Sequence, residues 1–213
     1  MTLCLDIHTH HPAPQPFGIV ALAANEAASD FHSVGDQRYS VGVHPWLTAQ
    51  PIADEIWGEL EKLCALPEVV AIGECGIDKL KGGPLFRQIN VFKRHIDLSE
   101  KLGKPLVIHD VKAHDVIVGL KNDLKPTQNW VIHGFRAKPS VAKMMTDAGI
   151  YLSFGEKFNP ETPKAVPFNF ILAETDESDW SIQEVIANLS LNLGRDITET
   201  IAVNTAEFLQ KKL

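Results

Sequence analysis

The stretch Leu3-Cys4-Leu5-Asp6-Ile7-His8-Thr9-His10 is a short apolar run that ends in two histidines one residue apart. Side chains two residues apart in a β-strand point to the same face, so His8 and His10 are expected to project together. Two imidazoles in that arrangement can hold one metal ion, although a surface turn can carry the same pair. The rest of the chain decides between these interpretations.

Further apolar runs of strand length repeat the pattern along the chain. They precede His44, Glu74, His109, His133 and Asp176. Two more runs, at 17–23 and 150–154, complete a set of eight predicted strands. Metal-binding residue types therefore recur at the ends of several predicted strands.

Helical patterns lie between most of these strands. For example, Leu85, Ile89, Phe92 and Ile96 recur at helical spacing. Strands that alternate with helices predict an α/β fold, and the number of strands predicts a TIM (β/α)₈ barrel, with a doubly wound open sheet as the alternative. Residues 9–16 are rich in proline, so the barrel is expected to be somewhat reduced, with the first one or two helices missing or vestigial. The other predicted helices lie near 52–66, 113–124, 139–148 and 182–193.

The composition is that of an ordinary globular chain, with 213 residues, 45% of them hydrophobic and 22% charged. We find no linker-like segment, so residues 1–213 are expected to form one domain. The net charge of −7 argues against a protein that coats nucleic acid, but not against an enzyme that handles one or two phosphates. The apolar runs are too short to span a bilayer. Cys4, Cys64 and Cys75 fit buried, reduced thiols, so a cytoplasmic protein is expected, without a membrane partner and with a homo-oligomer left open.

In a TIM barrel the active site lies at the carboxyl ends of the strands, where the histidines and carboxylates that follow the predicted strands would meet. Mixed imidazole and carboxylate ligands suit transition metals better than calcium. The expected cofactor is a divalent metal ion, with zinc, manganese, magnesium, cobalt and nickel as the candidates. Histidines elsewhere have structural interpretations, namely His11, His32, His95 and His114.

Basic residues follow the fourth to seventh predicted strands, and a barrel would gather those loops around the same mouth. This arrangement predicts a locally basic entrance suited to an anionic substrate, unless the charges are unrelated solvated side chains. Trp46 and Trp180 also follow strands and could stack on a base or pack at the rim. The basic residues are Lys79, Lys81, Lys112, Arg136, Lys138 and Lys157.

The order of the motifs is similar to that of the TatD-type metal-dependent hydrolases. The matching segments are Asp6-Ile-His8-Thr-His10, Val41-Gly-Val-His44-Pro45, Ala71-Ile-Gly-Glu74-Cys-Gly-Ile-Asp78, Pro105-Leu-Val-Ile-His109, Val131-Ile-His133-Gly-Phe135, Leu172-Ala-Glu-Thr-Asp176 and Val203-Asn204-Thr-Ala-Glu-Phe208. The resemblance covers nearly the whole chain. It implies a TIM barrel with one or two divalent ions that hydrolyses phosphodiesters, typically as a deoxyribonuclease or exonuclease at DNA ends.

The resemblance also implies roles for individual residues. His8, His10, Glu74 and Asp176 would hold one ion, and Glu74 would bridge to a second ion held by His109 and His133. Asp176 and Glu74 would be catalytic, with Asp176 accepting the proton of the nucleophile. Substrate contacts are expected at His44, Lys112 and Arg136.

Departures from the family pattern lie in the expected substrate loops. Val111 stands where the family usually has arginine, and the segments 136–138 and 177–180 also differ. The expected substrate is a DNA end, a short nucleotide fragment or another phosphate ester. The alternatives are a barrel amidohydrolase acting on an amide or lactone, which usually has a bridging lysine where Glu74 stands, and a metal-binding barrel without catalysis.

Two acidic residues near the motifs are expected to have supporting roles. Asp78 would tie its loop together or support a metal ligand from behind. Glu174 shares a strand face with Asp176 and is expected to pair with a lysine or arginine rather than bind metal.

Overall fold

In the computed structural model, which describes residues 5–11, 18–24, 32 and 34–210, eight strands form one sheet in the order of the sequence. Every neighbouring pair from β1–β2 to β7–β8 is parallel. The strands are β1 (Asp6–Thr9), β2 (Gly18–Ala23), β3 (Arg38–Gly42), β4 (Val69–Asp78), β5 (Leu106–Val111), β6 (Trp130–Ile132), β7 (Ile150–Phe154) and β8 (Ile171–Ala173).

The last strand meets the first, so the sheet closes on itself. Thr9 forms a parallel bridge with Asp176, just beyond β8. The Asp176 amide donates to the His8 carbonyl at 2.9 Å, and the His10 amide donates to the Asp176 carbonyl at 3.0 Å. The predicted (β/α)₈ barrel is confirmed, and the open sheet is excluded.

The helices pack outside the barrel and largely follow the sequence signals. Pro139 begins its helix, Gly103 ends another with φ +65°, and Ser181 and Glu184 form a capping box. None of the helices in the described residues is long and apolar enough to cross a bilayer. The helices are α1 (Asp54–Ala65), α2 (Leu85–Leu102), α3 (His114–Leu124), α4 (Pro139–Asp147), α5 (Thr162–Ala165), α6 (Ile182–Leu193) and α7 (Thr198–Phe208), with 3₁₀ helices at Pro45–Ala49 and Phe168–Phe170.

Three predicted strand ends need correction. The fourth strand does not end before Glu74 but continues to Asp78, and the fifth continues past His109 to Val111. The third strand ends at Gly42, and His44 instead caps the 3₁₀ helix Pro45–Ala49, because its Nδ1 accepts a hydrogen bond from the Trp46 amide at 3.2 Å. The prediction of missing first helices falls mainly on residues 12–17 and 25–31, which lie outside the described residues.

The interior of the barrel is a small apolar core with residues from nearly every strand. The strand residues of this core come from around the whole sheet and can meet only inside it, and Phe208 and Leu209 join them from the end of α7. Val107, Val131 and Leu172 each stand two residues before a polar side chain of the mouth, namely His109, His133 and Glu174. Strand periodicity therefore turns these three polar residues inward above the core. The core consists of Ile7, Ile19, Val70, Ala71, Val107, Val131, Leu172, Phe208 and Leu209.

His95 in α2 is a buried structural histidine, in agreement with its predicted role. Its Nε2 accepts a hydrogen bond from the Val43 amide at 3.0 Å, and its Nδ1 donates to the Val91 carbonyl at 2.8 Å. Burial lowers the pKa of His95 to about 4, so the folded protein keeps this imidazole neutral.

Acidification should therefore destabilise the fold through His95. Between pH 6.5 and 4 the unfolded chain binds a proton that the folded chain does not, so the free energy of unfolding falls as the pH falls. The loss over that window is roughly 3 kcal/mol from this group. Urea unfolding of the wild type and of His95→Gln at pH 7 and pH 4.5 measures this loss of stability. Glutamine can donate and accept hydrogen bonds but does not titrate, so the variant should lose less stability. An equal loss of stability in both proteins would rule out His95 as the source.

Candidate metal centre

The predicted metal ligands meet at the carboxyl ends of the strands. His8, Glu74 and His109 lie on β1, β4 and β5, while His133 directly follows β6 and Asp176 lies three residues beyond β8. All but the fully buried His8 line a cavity of about 380 Å³ at the mouth of the barrel. The cavity is also lined by His10, Ala21, Leu22, Ala23, Gly42, His44, Trp46 and Glu177.

Glu74 is the centre of this cluster, and its two carboxylate oxygens face different histidines. Oε1 lies 2.6 Å from His109 Nδ1 and 2.7 Å from His133 Nε2. Oε2 lies 3.5 Å from His8 Nε2 and 3.7 Å from His10 Nε2. A carboxylate placed in this way can serve two neighbouring ions, one through each oxygen.

Asp176 completes the group around Oε2. Its Oδ1 lies 3.7 Å from Nε2 of both His8 and His10. Ligand atoms of His8, His10 and Asp176 all lie within 4.8 Å of one another, which is close enough to surround one ion. The same holds for His8, Glu74 and His133.

Two glycines allow β4 to present Glu74 at this position. Gly73 has φ +150° and Gly76 has φ +136°. A Cβ atom on Gly73 would lie 2.4 Å from the Val107 carbonyl oxygen, and one on Gly76 would lie 2.2 Å from the His109 carbonyl oxygen. Glycine is therefore required on both sides of Glu74, because β4 and β5 approach too closely for any side chain.

The donor set fits divalent metal ions. Both ring nitrogens of His8 are buried without a hydrogen-bond partner. Leaving such atoms unpaired is costly, and a cation among His8, His10 and Asp176 would satisfy Nε2. Burial also holds the pKa of His8 well below its usual value, so His8 is neutral, as a metal-binding imidazole must be.

Glu74 is a buried but ionised carboxylate. Burial alone would raise its pKa, but the surrounding histidines, His133 foremost, hold that pKa well below the usual value. Burial likewise acts against protonation of His133, but the carboxylates of Glu74 and Glu174 together outweigh it and raise the His133 pKa well above the usual value. The cluster thus already favours positive charge next to Glu74.

His44 also approaches Glu74, with its Nε2 3.0 Å from Oε1. Its Nδ1 accepts from the Trp46 amide, so the neutral ring carries its proton on Nε2 and donates it to Glu74. A protonated nitrogen is not a metal ligand. His109 and His133 differ from His44 because their other ring nitrogens face the carboxylates of Asp78 and Glu174, which can accept the ring proton and leave the inner nitrogen free for a metal ion. His44 is therefore a hydrogen-bond donor that can orient Glu74 or a substrate.

Two carboxylates stand behind the histidines that face Oε1. Asp78 Oδ2 lies 3.3 Å from His109 Nε2, as the predicted supporting role requires. Glu174 is fully buried, and its Oε1 lies 3.5 Å from His133 Nδ1 and accepts the Gly134 amide at 2.5 Å. The expected pairing of Glu174 with lysine or arginine is wrong, because its strand position turns it inward toward His133.

Removing the charge of Glu174 should weaken metal binding at His133. A carboxylate behind an imidazole orients the ring and increases its basicity, and loss of such a partner costs about 10–100-fold in metal affinity. Glu174→Gln keeps the shape and the Gly134 contact, so competition with a chromogenic chelator should show one ion bound more weakly. Unchanged affinities for both ions would show that Glu174 only fills space. Glu184→Gln, at the solvent-exposed start of α6, is the matched control.

The basic residues of the loops differ in their contacts. Arg136 lines a neighbouring cavity of about 220 Å³ that shares Asp176 and Glu177 with the first. Lys112 is exposed beside the end of β5 and does not line either cavity. Lys79 pairs with Asp115 at 2.8 Å.

The fold and the cluster define a class of protein, a parallel (β/α)₈ barrel with a candidate metal centre at the carboxyl ends of its strands. A family model described as TatD related DNase matches residues 22–203. The chain belongs to this family, and the resemblance found in its motifs is confirmed.

Individual relatives agree with this assignment. A Mycobacterium tuberculosis protein named uncharacterized metal-dependent hydrolase TatD is 34% identical over 151 residues, which are 64% of this chain and 56% of that protein. An Erwinia billingiae protein named 3′-5′ ssDNA/RNA exonuclease TatD is 28% identical over 148 residues, again 64% and 56% of the two chains. The matches thus span little more than half the length of these relatives.

Solved structures with low sequence identity show the same fold. The crystal structure of YjjV, a TatD homolog from Escherichia coli K12, has a TM-score of 0.78 and 18% identity, and covers 98% of both chains. A TatD family hydrolase from Entamoeba histolytica has a TM-score of 0.76 and 15% identity, and covers 97% of this chain and 98% of that one.

Proposed function

We propose that this protein is a divalent-metal-dependent hydrolase of phosphodiester bonds, acting as a TatD-like deoxyribonuclease on DNA ends or short nucleotides. The observation that carries the proposal is the arrangement around Glu74, whose two oxygens face separate sets of histidines. The names of the relatives, which include metal-dependent hydrolases and an exonuclease, support the same reaction class.

The residues divide into two ion-binding groups. His8, His10 and Asp176 with Glu74 Oε2 would hold one ion, and His109 and His133 with Glu74 Oε1 would hold the other. Divalent ions bound there supply Lewis-acid polarisation of the phosphate oxygens and lower the pKa of water.

The side chains of this chain then have distinct tasks. Asp176 lines the cavity with its side chain 27% exposed, so it can reach the attacking water and accept its proton. His44 donates a hydrogen bond from Nε2 to Glu74, and the same N–H is available to a substrate oxygen bound beside Glu74. Asp78 and Glu174 hold the rings of His109 and His133 in place from the side away from Glu74.

Hydrolysis of single-stranded DNA oligomers tests this proposal. The protein is stripped of metal, reloaded with magnesium, manganese or zinc, and compared with Asp176→Asn under the same conditions. Stepwise shortening from one end that depends on metal and is lost in the variant would support an exonuclease. Metal-loaded protein that cleaves no oligomer would reject the DNA substrate, and small phosphate esters and lactones would then separate the remaining hydrolase reactions.

Neutralising Lys112 or Arg136 should weaken substrate binding more than it slows turnover. Both are exposed charges beside the mouth, so their attraction to a polyanion is screened and modest. We expect Lys112→Ala and Arg136→Ala each to raise KM roughly two- to fivefold, with a stronger effect at low salt. Lys143→Ala on α4, whose charge pairs with Asp147, is the control for net charge. A KM unchanged by both mouth variants would mean that these charges have no role in binding.

A further inference from the structure

Trp46 is a large aromatic side chain left exposed at the edge of the candidate metal centre. It lines the same cavity as Glu74 and Asp176, and 47% of its surface is accessible. Its ring centroid lies 4.7 Å from that of His44 and 6.0 Å from that of His109. A ligand bound at the metal cluster would therefore extend past the indole.

The indole is fixed in orientation. Its Nε1 donates to Asp78 Oδ2 at 2.7 Å, and Asp78 is 2% exposed. Asp78 Oδ1 in turn accepts the amides of Leu80 and Lys81 at 2.8 and 3.0 Å, which holds the following loop. An exposed aromatic ring that is already immobilised loses little entropy when a flat group stacks on it.

That loop packs directly against the 3₁₀ helix that bears Trp46. The Gly83 amide donates to Thr48 Oγ1 at 3.0 Å, and a Cβ atom on Gly83 would lie 2.0 Å from the Thr48 carbonyl oxygen. The two segments therefore form one rigid wall on the β3–β4 side of the mouth.

Lys81 covers part of the indole. Its ammonium lies 3.9 Å from the centre of the Trp46 ring, while the side chain is otherwise solvent-exposed. An exposed cation–π contact is worth about 0.5–1 kcal/mol, whereas a base stacked on an aromatic side chain is worth about 1–3 kcal/mol. A base can therefore displace the ammonium, and the flexible lysine is then free to meet an adjacent phosphate.

The opposite side of the mouth carries mixed charge. Glu177 and Glu156 lie there together with Arg136 and Lys157, and Glu156 accepts a hydrogen bond from Ser178 Oγ at 2.9 Å. The carboxylates there offset the basic side chains, whereas the ammonium of Lys81 lies directly on an exposed aromatic ring. The Trp46 side therefore combines a stacking surface with a cation.

We infer that Trp46 and Lys81 form a nucleotide subsite beside the metal centre, in which the indole stacks on an unpaired base and the ammonium pairs with a phosphate of the same strand. The inference rests on the proposed phosphodiesterase function and extends it by assigning the side of the mouth on which the nucleotide lies. It assigns a binding role to Trp46, whereas the sequence left open whether this side chain stacks or only packs.

Binding of phosphorothioate-linked octamers, which resist hydrolysis, tests the subsite in the manganese-loaded protein. Fluorescence anisotropy gives Kd for fluorescein-labelled octathymidylate and for an octamer whose residues are all abasic. The variants are Trp46→Phe and Trp46→Leu. Both lose the hydrogen bond to Asp78, and only phenylalanine keeps an aromatic ring. Trp180→Leu, an exposed tryptophan outside the metal-centre cavity, is the control.

The expected result is a loss of affinity for octathymidylate of roughly 5- to 100-fold in Trp46→Leu, with Trp46→Phe retaining most of the affinity. Affinity for the abasic octamer should change little in either variant, and Trp180→Leu should match the wild type. Equal losses for both octamers, equal losses in both Trp46 variants, or no loss at all would overturn the subsite. Cleavage of ordinary phosphodiester octamers is measured separately. Absence of cleavage would reject the proposed function, whereas the difference in binding between the Trp46 variants would still test the subsite.

Discussion

Glu74→Ala is expected to abolish detectable hydrolysis and to loosen both metal ions at once. The reason is the division of its carboxylate, with Oε1 2.6 Å from His109 and Oε2 3.5 Å from His8. Loss of either oxygen removes a ligand from one group, and alanine removes both together with the negative charge that stabilises the cations. Metal content after dialysis against a weak chelator, measured together with turnover, gives both effects in one preparation.

The informative comparison for this position is Glu74→Gln. Glutamine keeps the size and one oxygen but loses the charge, so it should retain more metal than alanine and still bind less than the wild type. Glu199→Ala, in the first turn of α7, is the surface control. Unchanged metal content in Glu74→Ala would remove the bridging role, and loss of only one ion would assign Glu74 to a single group.

The sequence was sufficient for the barrel and for the position of the cluster. In β5, β6 and β8 the apolar residues Val107, Val131 and Leu172 face the barrel interior. Strand alternation alone predicts that the residues two positions later face the same way, and these are His109, His133 and Glu174. Because parallel strands in a barrel all end at the same rim, polar residues after separate strands must meet there. At these positions the strand alternation and the barrel topology both predict polar side chains that meet at the mouth.

The sequence was insufficient where the site depends on how loops approach one another. The proposed role of Trp46 depends on Asp78 at the end of β4 and on Lys81 in the loop that follows. The continuation of β4 past Glu74 depends on close contact with β5, and the apolar pattern before Glu74 does not report that contact. Glu174 shares its strand face with Asp176, but only the folded barrel shows that His133 is its partner. The predicted ligand set and the single domain over 1–213 stay predictions.

Asp176→Asn is expected to lower kcat by about 10²- to 10⁴-fold while leaving the fold intact. The backbone of Asp176 has φ +54° and closes the barrel through its hydrogen bonds with His8 and His10. Asparagine adopts this left-handed conformation readily, so the closure should survive. The amide retains one oxygen toward the histidines but cannot accept the proton of the attacking water, so turnover should fall much more than metal affinity.

Measurement of kcat over a range of metal concentrations separates these two effects. If Asp176 acts as proton acceptor, Asp176→Asn stays slow at saturating metal, because added ions cannot replace a missing base. If Asp176 acts only as a ligand, saturating metal restores turnover, and the base must be sought elsewhere in the cavity, where Glu177 is the neighbouring carboxylate. Asp176→Ala, which loses both functions, should be slow and also bind metal weakly. The difference between the two variants therefore assigns the role of Asp176.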